Sequence, residues 1–94
     1  MKKIDGWFAL LEQYMRIAKY DWKPVRNKAN EFYGKHPRTS PQVVAGAFFH
    51  IYLPIVSKHE PFRAWRSLKE ISTALGIPIS SLARMTTRVR TQSR

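Results

Sequence analysis

The segment from Pro41 to Val56 constrains the fold most, because it is apolar on nearly every side. Val43, Val44, Ala47, Phe48, Ile51, Tyr52 and Ile55 recur at helical spacing, and Phe49 and Leu53 fill the remaining directions. A helix hydrophobic all round must be covered on several sides, so it is expected at the centre of the fold. Its longest apolar stretch, residues 43–56, is interrupted by Pro54 and falls short of the roughly 20 residues that span a bilayer. The covering layers must come from the rest of a 94-residue chain, which is one domain's worth of sequence over residues 1–94.

Pro and Gly punctuation supplies those layers. It divides the chain into five helical candidates, and no segment sustains the period-2 alternation of a half-buried strand. The first helix is expected from about Asp5, as N-cap, to Tyr20, with Ile4, Trp7, Phe8, Leu11, Met15 and Ala18 on one face. The second runs from Pro24 to Tyr33 with Val25, Ala29 and Phe32 inward, and Gly34 as its stop. The third opens at Ser40-Pro41. After a loop over residues 57–65, Ser67-Leu68-Lys69-Glu70 reads as a capping box that starts a fourth helix ending at Leu75-Gly76. The fifth runs from about Pro78 toward Arg90. The fold class expected is all-α.

The last two helices fit a helix-turn-helix over about residues 67–91. With Gly76 at the ninth position, where the turn needs a left-handed backbone, Ile71, Leu75, Ile77, Leu82 and Met85 take the packing positions. Small Ser72 falls where the helices approach closely. That register turns Ser80, Ser81, Arg84, Thr87 and Arg88 outward. Arg pairs bidentately with guanine edges, and Ser and Thr bond bases or phosphates. Residues 77–94 hold four arginines, Arg90 among them, and no acid, as phosphate contact requires. A secondary contact is expected from Arg63, Arg66 and Lys69, near Phe62 and Trp65, whose rings could stack on bases, anchor a protein partner or simply pack the loop onto the core. Lys19, Lys23, Arg26, Lys28, Lys35 and Arg38 form another basic region, either a solvated surface or a further grip on phosphates.

Charge agrees with that reading. Seventeen Lys and Arg against six Asp and Glu give +11, with an isoelectric point near 10.6. Such an excess on a small body implies an anionic partner: nucleic acid, acidic lipid or an acidic protein. With no cysteine there is no disulfide, no thiolate nucleophile and no Cys-based metal site. His36, His50 and His59 lie on three different elements, without the spacing of helical metal ligands, and His50 reads as a core or interface histidine. No carboxylate pair is placed for acid–base work; Glu12 and Glu31 read as solvated helix faces beside Arg16 and Lys28. An enzyme, a metal and a cofactor are therefore not expected. Without a secretory signal or a spanning segment, a soluble intracellular protein is expected.

Three stretches resemble one cyclin-like repeat of the general transcription factor IIB family, including its archaeal and viral relatives. Lys28-Ala29-Asn30-Glu31-Phe32-Tyr33 is similar to the end of that family's second helix. Arg38-Thr39-Ser40-Pro41 and the run from Val43 to Tyr52 resemble its Arg-Ser-Pro start and Ala-rich central helix, here with bulkier Phe48, Phe49 and Tyr52. Arg66-Ser67-Leu68-Lys69-Glu70-Ile71 and Ala74-Leu75-Gly76-Ile77 resemble its Arg-Thr-x-Lys-Glu-Ile helix and turn. The resemblance spans Trp7 to about Arg90. It implies a five-helix cyclin-like bundle with a central third helix, and duplex DNA contact through Ser80, Ser81, Arg84, Thr87 and Arg88. It also implies TATA-binding protein or other transcription machinery as a partner, in the nucleus or, for a prokaryote or virus, wherever transcription occurs. The family's zinc ribbon and second repeat have no counterpart here, and a monomer is expected. Three other readings stay open: a cyclin-like adaptor that binds a protein, a phage- or plasmid-type helix-turn-helix regulator acting as a dimer on a palindromic site, and a basic RNA-associated protein.

Overall fold

The computed structural model describes residues 3–14, 21–56 and 64–92. They form five helices: α1 (Lys3–Tyr14), α2 (Lys23–Lys35), α3 (Pro41–Val56), α4 (Ala64–Leu75) and α5 (Ile79–Gln92). The described residues contain no strand. The all-α class and the helix order agree with the expectation from the sequence.

The apolar third helix is central: it packs against each of the other four, most extensively α5 and α1. Val44, Ala45, Ala47, Phe48, Phe49 and Leu53 are buried on its several faces. Toward α1 and α2, Phe49 stacks on Trp22 with ring centroids 4.2 Å apart and planes 9° from parallel. Phe8 of α1 closes that cluster, 5.9 Å from Phe49 and 6.3 Å from Trp22. Toward α4 and α5, the surface of α3 is hollow at Gly46. A Cβ there would lie 2.9 Å from Cδ1 of both Leu75 and Leu82, and 3.1 Å from Cγ2 of Ile71. The missing side chain is what lets the last two helices seat their packing residues directly on the central one.

Three local expectations are corrected. Asp5 is not an N-cap: α1 begins at Lys3, which brings Ile4 into the helix and buries it fully. Asp5 lies in the first turn, where a carboxylate suits the helix dipole, and its Oδ1 accepts a 3.1 Å hydrogen bond from Asn30 Nδ2 of α2. Gly34 does not stop α2, which continues to Lys35. The two added residues let His36 cap the helix, its N–H reaching the Phe32 and Tyr33 carbonyls, while its ring rests 4.5 Å from that of Phe32. Ser67 is not an N-cap, because α4 starts at Ala64 and Ser67 has helical backbone. A cap is worth about 1 kcal/mol, comparable to the helix bonds that an upstream turn supplies. The last six residues of the first helix expected from sequence, residues 15–20, lie outside the described residues.

The solvated-face reading of Glu12 is corrected too, and that of Glu31 holds with a different neighbour. Glu12 is half-buried; its carboxyl is raised above the ordinary value by desolvation, which the charge of Arg26 on α2 only partly opposes. Glu31 is exposed, as expected, but pairs with Lys35 (3.4 Å) rather than with Lys28.

His50 is buried on α3, as a core histidine should be. Burial holds its pKa below 6.5, and the positive charge of Arg90 pushes the same way. As pH falls below 6.5 the unfolded chain takes up a proton that the folded chain resists, so this contribution is complete above 6.5 and lost below it. The expected result is an NMR titration midpoint for the His50 ring below 6.5. A midpoint at or above 6.5 would contradict the buried placement.

Candidate nucleic-acid interface

The turn between α4 and α5 has the geometry its sequence requires. Gly76 adopts a left-handed backbone, φ +67°. Its N–H donates to Thr73 O (3.3 Å) and that of Ile77 to Ser72 O (3.0 Å), the paired bonds of a Schellman motif. Gln42 Nε2 of α3 donates to the carbonyl of Leu75, so the end of α4 is tied to the central helix. After the turn, Leu82 N–H donates to Pro78 O (3.2 Å), placing Pro78 where the fifth helix begins. Ile71, Leu75 and Leu82 are buried, Ile77 and Met85 are partly buried, and Ser72 is buried with its hydroxyl bonded to Lys69 O. Every packing position expected from the register is thus inward.

The other side of α5 is open. Ser80, Arg84, Thr87, Arg88 and Arg90 are exposed, and Ser81 is half-exposed. At about 100° per residue, Arg84 lies within about 15° of the point opposite the buried Leu82–Thr86–Val89 stripe. Ser80 and Thr91 share that central line; Thr91 was not among the residues expected from sequence, because it lies at the helix's last turn. Arg88 lies about 50° to one side, and Arg90 about 105° to the other, by the same geometry. The structure therefore groups Ser80, Ser81, Arg84, Thr87 and Arg88 and sets Arg90 apart, on the flank whose charge acts on His50.

The second basic region divides. Lys28 stands over the Tyr52 ring, 5.2 Å from its centroid, and the charge of Arg26 acts on Glu12. Lys35 and Arg38 instead come beside α5. With His36, Pro37, Thr39 and Arg88 they line a hollow of 400 Å³, and Arg88 Nη2 lies 3.4 Å from His36 Nδ1. An adjoining hollow of 280 Å³ lies between the first turn of α3 and the side of α5, with Ser81, Arg84 and Arg88 on its wall. Arg88 is common to both. This meeting of the 35–38 segment with α5 could not be read from sequence, since 50 residues separate Arg38 from Arg88. Lys69 of α4 is exposed; Arg63 and the Arg66, Phe62 and Trp65 side chains lie outside the described residues.

A third concavity, a groove of 320 Å³, separates α2 from the end of α5, with Phe48 and Tyr52 as its floor. Among the described residues no group of His, Asp and Glu is arranged to hold a metal, and no helix is long and apolar enough to cross a membrane. Comparison with protein-family models, curated proteins and solved structures returns no match to this chain.

Proposed function

We propose that this chain binds duplex DNA through the exposed face of α5 and acts in transcription, as one repeat of a transcription factor IIB-like core would. The observation that carries the reading is the pairing of a Gly76-centred turn, φ +67°, with an exposed face of Ser80, Arg84, Thr87 and Arg88. A helix about 10–12 Å across fits the major groove, which is about 12 Å wide, and its outermost side chains then meet base edges. Ser80 and Arg84 supply donors and acceptors there, and the net charge of +11 supplies the attraction to phosphates. The resemblance of the 28–33, 38–52 and 66–77 stretches to that family supports promoter DNA and the TATA-binding protein as partners.

The test is fluorescence anisotropy on mixed-sequence duplex DNA across a salt series, followed by one round of site selection. The expected result is a steep fall of affinity with salt and an enriched motif. A steep slope with no motif leaves phosphate binding and removes sequence reading. Absence of binding at low salt overturns the DNA reading in favour of the adaptor, for which the groove over Phe48 and Tyr52 is the docking place. A stable dimer selecting a palindrome would replace the single-repeat reading with the phage- or plasmid-type regulator.

A further inference from the structure

We infer that the corner formed by Lys35, Arg38 and Arg88 is a seat for a backbone phosphate of the bound duplex, so that Arg88 fixes the register of α5 while Arg84 reads bases. The inference rests on the DNA-binding reading and divides its labour.

Four observations carry it. The first is convergence: three cationic side chains from two parts of the chain line one hollow of 400 Å³, and no carboxylate lines it. The second is that the corner is braced. His36 leans on the buried ring of Phe32 at 4.5 Å, and the turn that follows is closed by Thr39 N–H donating to His36 O at 3.1 Å. Pro37 occupies the second position of that turn, where its fixed φ suits the bend, and the Thr39 hydroxyl donates to the same carbonyl at 2.6 Å. Arg38 is therefore presented from a closed turn rather than from a loose loop.

The third observation is direction. Arg88 lies about 50° off the outermost line of α5, on the side of the hollow. A helix that fills the major groove points its outermost residues at the bases and its flanks at the two sugar–phosphate walls. Arg88 is on such a flank, beside His36 Nδ1 at 3.4 Å, whereas Arg84 is on the centre line. The fourth is that Glu31, the acid paired with Lys35, holds it weakly. Glu31 meets Lys35 at 3.4 Å with both side chains 70% exposed, so a phosphate can draw Lys35 away at little cost. A guanidinium and a backbone phosphate make charge-assisted, often bidentate hydrogen bonds, which suits Arg38 and Arg88 to opposite sides of one phosphate.

The experiment uses the full chain and two variants, Lys35→Gln/Arg38→Gln and Arg88→Gln. All three are exposed side chains, and unchanged circular dichroism melts establish that the variants fold. Binding is read on the selected duplex and on an unrelated duplex across the salt series, with site selection repeated for each variant. The seat predicts weaker binding of both variants to both duplexes by the same factor, and a salt slope shallower by about 1 for each lost phosphate contact. The selected motif stays that of the original chain. If the double variant keeps the original slope and affinity, the seat is wrong and the DNA reading stands. If Arg88→Gln selects a different motif, Arg88 reads bases and the division of labour is wrong. If the unaltered chain binds no duplex, the functional reading falls first and takes the seat with it.

Discussion

Replacing Phe49 by alanine is expected to destabilise the fold by about 3–5 kcal/mol, the usual cost of emptying a fully buried aromatic site. Phe49 has no exposed surface and stands between Trp22 and Phe8, at 4.2 and 5.9 Å. Truncation removes the ring's transfer energy, leaves a cavity and ends the stack on Trp22. Stacked aromatic pairs contribute about 0.5–1.5 kcal/mol beyond burial. A domain of this size has about 5–15 kcal/mol in all, so the loss would consume a large part of it. Urea denaturation measures it. Phe49→Leu, which fills part of the space, should lose less. A loss under about 1 kcal/mol for the alanine variant would mean that α1 and α2 do not close on α3 around this ring.

The second large effect concerns the interface. Arg84→Ala is expected to weaken binding to the selected duplex by about 1–3 kcal/mol, or roughly 5- to 150-fold, and to relax the preference at one base pair. Its effect on an unrelated duplex should be much smaller. Arg84 is exposed, so the melting curve should not move. Equal losses on both duplexes would make Arg84 another phosphate contact, and no loss on either would remove the outer face of α5 from the interface. The contrast with Arg88, whose loss should be the same on every sequence, separates reading from positioning.

How much was legible in advance depended on how local each determinant is. The periodicity of residues 43–55 was enough to place α3 at the centre, because a helix apolar on all sides has no stable position at a surface. Gly76 followed from the rarity of the left-handed conformation in other residues, and the inward and outward sides of α5 followed from counting at helical spacing. Helix ends were less legible. Asp5, Gly34 and Ser67 each carry a capping or stopping signal worth about 1 kcal/mol, and each was overruled. At the first two the gain is visible: Ile4 entered the core, and His36 reached Phe32. Glu12 departs from its solvated reading for a related reason: its burial and the charge of Arg26 on α2 come from packing between distant parts of the chain, while Arg16 lies outside the described residues.

The sequence alone thus determined the helical class, the buried central element, the turn at Gly76 and the residues α5 turns outward. All of these depend on contacts or conformations within a few residues, where spacing is the geometry. Only the tertiary structure decided that Gly46 is the seat for Ile71, Leu75 and Leu82, and that Lys35 and Arg38 stand beside Arg88 while Lys28 turns to Tyr52. It also placed the charge of Arg90 near His50 of α3. These depend on how helices distant in sequence cross α3. That is settled by the complementary shapes of the buried faces, a property of the packed core that no local pattern encodes.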